Sequence, residues 1–540
     1  MKRIYALLLT FAMTTSCVAT TAAASTTETS ASAESTTTDH VFTIASACDI
    51  GNELNPHAYH SGAALYALNY VYDALVVYED GQIVEALADD WSVSEDGLTY
   101  TFHIRDNARF SDGSVCDANV VEKNFKSILS EAYDAYSWMG VCSHMEDCYA
   151  VDDSTFEFKL TEPYYPALQE LASVRPWRML AESAFMDDGT SVEGIKAPIG
   201  TGPWVLTDYV ENEYAEFERN EYYWGEMPKL DKFRVQIITD GQTAVSALEA
   251  GQVDMIYDMY ESSLMNIDTF NALINEGYSY AVSDPVLTRV VVLNSNIDAL
   301  SDINVRKAIC MGVNREAMVQ SIFAGLEDMA QSYYWPGTMY CNVGLEGYEY
   351  NVEEAAKLLD EAGWVLENGA EYRTKDGQEL AIDFYYDASH EVQTAIAQIM
   401  QSELKKIGVK VEITGEERGA NLNRVYGGEF ELGYSVSWGD PQDPYSTLNA
   451  MSIEGGTAEQ FSLAPCEGYD QFVELVQSIF SETDEAVIQE KHNTALHYIE
   501  DQYAILPISY QTNRAIAQPG VTGIDFGYSN CMPLNTVTVD

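Results

Sequence analysis

The chain has 540 residues, with 28 Lys and Arg against 85 Asp and Glu, a formal net charge of −57. At 46% hydrophobic and 11% aromatic residues it can bury a large core, and its length suits a few compact units of roughly 100–200 residues each. So negative a field, with no Lys/Arg stripe to offset it, excludes nucleic acid as a partner and disfavours anionic lipid surfaces, while enriching cationic groups nearby.

The chain opens with Lys2 and Arg3, an apolar run from Ile4 to Met13, and then Thr14-Thr15-Ser16-Cys17. The run is too short to span a bilayer, which needs roughly 20 apolar residues, and fits the h-region of a secretory signal. A small residue before Cys17 resembles a bacterial lipobox, with Thr14 where Leu is usual, so residues 1–17 are expected to be a signal peptide with lipidation at Cys17. Residues 18–39 are nearly all Ser, Thr, Ala and Glu, and read as a flexible tether.

The globular part reads as mixed α/β. Asp96-Gly97 before the alternation Leu98, Tyr100, Phe102, Ile104 predicts a turn and a half-buried strand. Cys142, His144 and Cys148 form the tightest group of potential metal ligands, but they run toward a predicted strand Thr155–Leu160, where Cys is commonly a small buried hydrophobe. Asp302–Met311 and Asn314–Ala324 read as consecutive helices, the second capped by Asn314. Asn351 with Glu354 marks another start, followed by a stripe of Ala355, Leu358, Leu359 and Ala362 and a stop at Gly363. Arg289–Leu293 and Ala504–Tyr510 are apolar strands far apart in sequence, suited to crossing between two lobes. Eight cysteines besides Cys17 are scattered without a C-x-x-C pair, and their connectivity cannot be read from sequence.

Catalytic patterns are missing from the sequence. There is no nucleophile elbow and no Walker A loop. His390-Glu391 begins a metalloprotease motif, but position 394 is Thr. Gly200-Thr201-Gly202 is followed by Pro203 and fails the dinucleotide fingerprint. No enzyme activity and no enzyme cofactor are expected.

Five segments in order carry a family resemblance: Val71–Ser114, Ala197–Ile238 with "APIGTGPWVLTDY" at its start, "ALEAGQVDMI" from Ala247, "INVRKAICMGVNREAMVQSIFAGL" from Ile303, and "YNVEEAAKLLDEAGW" from Tyr350. Together they resemble the extracytoplasmic solute-binding proteins of ABC importers, family 5, which bind peptides and nickel. Leu160–Phe185, "LNPHAY" from Leu54 and "LPISY" from Leu506 resemble the nickel-binding branch most.

The resemblance implies a two-lobed periplasmic-binding-protein-like (type II) α/β fold with a hinge and an inserted extra subdomain. Lobe I would comprise 40–284 with a C-terminal return at 511–540, and lobe II 285–510. The implied function is capture of nickel or a metal–metallophore complex by lobe closure and delivery to the transmembrane subunits of an ABC permease. The alternative is a dipeptide or oligopeptide. The protein would be an exported monomer, lipid-anchored on the outer face of the cytoplasmic membrane, with chelated Ni2+ as cargo rather than cofactor.

Carried over residue by residue, the cleft arginine falls on Arg175 in "RPWR", and two cleft tryptophans fall on Trp138 and Trp438. Tyr59 of "LNPHAY" joins the expected ligand-binding set. Three positions depart from the pattern. A second arginine is replaced at Asp134 or Ala135, a tyrosine by Gln442, and the metal-binding histidine by "SIEGG" around Gly456. Arg418 either replaces the missing arginine from the other lobe or sits in a solvated turn. The guanidinium fork of Arg175 suits a ligand carboxylate, and Gln442 offers a donor and an acceptor in place of a phenol. The loss of the histidine leaves the metal ligands unassigned.

Overall fold

The computed structural model describes residues 41–51, 54–58, 62–79, 81–131, 136, 139–258, 264–437, 444–526 and 533–539. Its frame is an eleven-stranded sheet. The main path runs Lys410–Glu416, Ala381–Asp387, Leu432–Val436, Ser279–Leu293, Ile505–Ala517, Met255–Asp258, Phe42–Ser46, Lys232–Ile237, Tyr214–Arg219 and Trp204–Val210. The short Asp328–Met329 strand pairs beside it with Ile505–Ala517.

Two long antiparallel strands hold the two halves of this sheet together. Ser279–Leu293 pairs with Ile505–Ala517 from Ser279↔Ala517 to Val292↔Ile505, and both are longer than the apolar stretches that predicted them. The register slips between Val282 and Pro285 and again between Pro285 and Leu287. Proline has no N–H to give a ladder, so a bulge forms there.

Separate hydrophobic cores lie along the sheet. The first is built from residues 42–257 and closed by Ala515, Ala517, Val521, Leu534 and Val537. A second and a third use residues from Val290 to Ile508. A fourth packs Leu248, Phe270 and Leu273 beneath Ala45 and Ile516. Each large apolar side chain fully removed from water contributes roughly 1.5–3 kcal/mol against its conformational entropy.

Between Phe42–Ser46 and Trp204–Val210 the chain inserts a four-stranded antiparallel sheet, ordered Ala88–Val93, Thr99–Ile104, Thr155–Leu160, Met145–Ala150. The helix Ala118–Glu131 covers it, with Phe125 4.7 Å from both Phe156 and Trp177 by ring centroid. The expected turn before Thr99–Ile104 is closed by Gly97 N–H donating to Ser94 O at 2.8 Å. Cys142 lies in a short helix, Gly140–His144, and Cys148 in a strand; both are buried in the first core, while His144 pairs with Glu162 at 3.3 Å. The motif "GTG" is a packing device. A Cβ on Gly200 would lie 2.0 Å from Val71 O, and Gly202 N–H donates to that oxygen at 2.8 Å.

The capped helices follow the sequence. Asp302, Asn314 and Asn351 accept from Asn304, Ala317 and Glu354 N–H at the starts of Ile303–Gly312, Arg315–Phe323 and Val352–Glu361. Cys48, Cys116, Cys142, Cys148, Cys310, Cys341 and Cys466 carry free thiols. Among the described residues no helix is long and apolar enough to cross a membrane. Cys17 and Cys531 lie outside the described residues.

Candidate functional site

Of the six residues expected to contact ligand, Arg175 and Arg418 are described. Tyr59, Trp138, Trp438 and Gln442 lie outside the described residues, as do Asp134 and Ala135. The chain flanking these positions is described, and its contacts run to Glu170 and Arg178, on either side of Arg175 in the chain.

The helix Ala167–Ala172 is buried in the first core by Ala167 and Leu171, and it leads into the turn that carries Arg175. The Ser173 hydroxyl fixes that turn, with its oxygen 2.7 Å from Glu170 O and 2.8 Å from Arg175 O. The two arginines of "RPWR" have different surroundings. Arg178 is buried and donates from Nε to Val174 O at 3.2 Å, whereas Arg175 is half-buried.

The "LNPHAY" loop is tied to this segment by His57, which is fully buried. Its Nε2 lies 3.1 Å from Arg178 O, and a carbonyl only accepts, so Nε2 carries the proton. Nδ1 therefore accepts from Ser191 Oγ at 2.7 Å, and Ser127 donates to Ser191 at 2.6 Å. This Ser–His pair is sealed in the core and fixes the loop. One residue on, Ala58 O accepts from the buried Tyr136 hydroxyl at 2.9 Å, which joins the chain before Tyr59 to the chain before Trp138.

Glu170 makes the remaining links. Its carboxylate accepts from Gly140 N–H at 2.9 Å, Val141 N–H at 2.8 Å, Tyr164 Oη–H at 2.7 Å and Tyr445 Oη–H at 3.2 Å. Burial raises its pKa to about 7 against these four hydrogen bonds. Gly140 and Val141 follow Trp138 closely, and Tyr445 follows Gln442. On the other side of the 438–443 segment, Ser437 and Thr288 exchange N–H→O at 2.9 Å and N–H→Oγ at 2.8 Å.

Arg418 is exposed at the first position of the helix Arg418–Tyr426, which corrects the alternative of a turn. Its charge opposes the burial that raises the Cys48 thiol pKa. Arg418 thus lies within electrostatic reach of Cys48, in the loop that follows Phe42–Ser46, a strand of the first core.

Within "SIEGG", the stretch where the resemblance puts a metal-binding histidine, Gly456 has no room for a side chain. A Cβ on Gly456 would lie 2.1 Å from Ala450 O and 3.0 Å from Ile453 O, so no side chain fits there without moving backbone. Among the described residues no group of three or more His, Cys, Asp or Glu could hold a metal ion.

A two-lobed frame crossed by two strands, with Arg175 in the turn just after the carboxylate that joins segments of two cores, is the arrangement of a ligand-capturing protein. The family described as "Bacterial extracellular solute-binding proteins, family 5 Middle" matches residues 82–459, and the chain belongs to it. It is 33% identical over 477 residues to the nickel-binding periplasmic protein of Escherichia coli, covering 88% of this chain and 90% of that one. It is 28% identical to the dipeptide-binding protein of the same organism, covering 85% and 87%. The crystal structure of NikA from Brucella suis in complex with Fe(III)-EDTA superposes with a TM-score of 0.87 at 34% identity, covering 93% of this chain and all of that one.

Sequence reasoning did not find Glu170, Tyr445, Tyr136 or the His57–Ser191 pair. His57 and Glu170 lay inside segments that carry the resemblance without being singled out, and Tyr136, Ser191 and Tyr445 stand in no local pattern that marks them.

Proposed function

We propose that this protein captures a metal ion already wrapped in a small carboxylate-bearing chelator and delivers it to the transmembrane subunits of an ABC importer. The observation that carries the reading is the lack of room for a side chain at Gly456, taken together with the half-buried Arg175. A chelate that satisfies its own metal needs no protein ligand, but its carboxylates need a cation in a chain of net charge −57. The relatives named for nickel and for Fe(III)-EDTA support this ligand class. Arg175 would take a ligand carboxylate in a bidentate contact, with Trp138, Trp438, Tyr59 and Gln442 forming the walls and Arg418 approaching from the second lobe.

In this reading the lobes are 40–284 with 511–540, and 285–510. They rotate about the irregular pairing near Pro285, and ligand binding selects the closed form. The protein acts by binding rather than catalysis, as a monomer exported and anchored through Cys17. A dipeptide is the second reading, favoured by the similarity to the Escherichia coli dipeptide-binding protein.

Calorimetry with Fe(III)–EDTA, Ni(II)–histidine, free Ni(II) and dipeptides separates the two. The chelates should bind and free Ni(II) should not. Arg175→Ala should weaken chelate binding by on the order of 2–5 kcal/mol, and Arg175→Lys should restore little, because the fork geometry is lost. Full affinity in Arg175→Ala would remove Arg175 from the site, and binding of dipeptides alone would replace the first reading with the second.

A further inference from the structure

Glu170 stands out among the buried carboxyl groups because its four partners come from three separate stretches of chain. Gly140 and Val141 begin the helix Gly140–His144. Tyr164 precedes Glu170's own helix. Tyr445 begins the helix Tyr445–Ser452, whose Leu448 and Met451 lie in the third core, while Ala167 and Leu171 lie in the first. The carboxylate is therefore anchored in one core and receives a hydroxyl from an element anchored in another.

The neighbourhood repeats this junction. Tyr165 N–H donates to Phe480 O at 2.9 Å, and its hydroxyl lies 3.2 Å from His492 Nε2. The His492 ring stacks on Tyr340 at 4.7 Å, and Tyr340, Ile479 and Ile488 form a small separate cluster with Tyr165 and Met339 against it. The stretch 164–170 is thus a contact strip between the first core and the helices Tyr445–Ser452, Tyr469–Phe480 and Glu485–Asp501. Glu170 is the charged group within that strip.

We propose that Glu170 is a positioning residue for the ligand cleft: its carboxylate sets the Arg175 turn, the chain after 132–138 and the chain after 438–443 relative to one another, and it joins the two lobes through Tyr445. This rests on the reading that these segments line the ligand site. Every donor to Glu170 is neutral: two amides and two phenols, with the buried Cys142 thiol nearby. Removing one donor therefore leaves no opposite charge stranded. The Tyr445 hydroxyl is the donor that comes from the other lobe, so its contribution depends on the lobes being together. Bonds to the amides hold Gly140 and Val141 whether the lobes are open or closed.

Two variants test this in the full-length protein. Tyr445→Phe keeps the buried ring and removes one hydroxyl, and Glu170→Gln keeps the shape and removes the charge. With Fe(III)–EDTA as probe, Tyr445→Phe should bind roughly tenfold more weakly, the scale of one hydrogen bond to a charged group. Glu170→Gln should lose at least as much, and the double variant no more than Glu170→Gln alone. The stabilisation that Fe(III)–EDTA confers should fall further in Tyr445→Phe than the unfolding temperature of the ligand-free protein does, which a merely structural hydroxyl would not produce. Small-angle scattering without ligand should give a larger radius of gyration for both single variants.

Wild-type affinity in both single variants, or losses that simply add in the double variant, would overturn the proposal. If no chelate or dipeptide binds the wild type, the functional reading fails, and scattering alone decides on Glu170. An identical radius of gyration in wild type and both variants then rejects it.

Discussion

Two buried carboxylates hold this molecule together in different ways. Glu327 sits by the crossing strands, 5% exposed, against Arg289, 4% exposed. The guanidinium gives Nη2 to Oε1 at 3.0 Å and Nε to Oε2 at 3.0 Å, and Ser509 Oγ donates to Oε2 at 2.6 Å. Arg289 also donates to the Tyr434 hydroxyl at 3.0 Å. This carboxylate has a full counter-charge and ties the Ser279–Leu293 and Ile505–Ala517 strands. Glu170 has no such partner among its donors, and its raised pKa follows from burial. The contrast fits their places. A fork-paired ion pair has one good geometry and suits strands that must stay in register. Neutral donors can separate without stranding a charge, which suits a junction that opens.

The largest effect expected from this contrast is in Arg289. Arg289→Met leaves Glu327 buried without its cation and should destabilise the protein by about 3–5 kcal/mol in urea unfolding, with Glu327→Leu added on top restoring much of it. A loss under about 1 kcal/mol would mean the pair is no stronger than a surface one.

Glu170 should instead reveal itself through pH. Its folded pKa is about 7 against an ordinary 4.5, so between those values the folded chain holds a proton that the unfolded chain has released. Its contribution is fully present below pH 4.5 and is lost as pH rises through 7, at no more than roughly 1.4 kcal/mol per pH unit and on the order of 3 kcal/mol in all. Glu500, also raised to about 7 by burial, slopes the same way. His492, lowered to about 4 by burial, slopes oppositely, losing stability as pH falls from 6.5 to 4. The readout is therefore the difference between Glu170→Gln and wild type from pH 4.5 to 8. Parallel curves would mean that Glu170 contributes nothing to the slope. The smallest effect should come from Ser509→Ala. Glu327 keeps its guanidinium, so the loss in urea unfolding should be about 1 kcal/mol.

The sequence made the elements that cap themselves legible. Asn351 and Asn314 announce their helices because a cap is a local interaction between residues three apart. Asp96-Gly97 announces its turn for the same reason. The crossing strands were visible as apolar runs, but their lengths were not, because the mixed stretch Ser279 to Thr288 and the polar Gln511 to Asn513 are held in strand by pairing across the two strands. Arg175 was legible only through resemblance. Nothing in "RPWR" tells which arginine is buried and which half-exposed, since Arg178 is fixed by giving its Nε–H to Val174 O and by accepting from His57 at its own carbonyl. Glu170 looks like any of 85 acids until residues 30 positions before it and 275 after it are brought to its oxygens.

The strand Met255–Asp258 is flanked by Phe42–Ser46 on one side and by Ile505–Ala517 on the other. A chain made from its N-terminus therefore carries an open sheet edge throughout the manufacture of residues 285–504. The first core stays unfinished until Ala515, Ala517, Val521, Leu534 and Val537 arrive. The second and third cores take in Ala504, Ile505, Leu506 and Ile508, and the fourth takes in Ile516, so all of the larger cores wait on residues after 503. Until those arrive the edge stays unpaired, and the high negative charge of the chain works against its sticking to a neighbour.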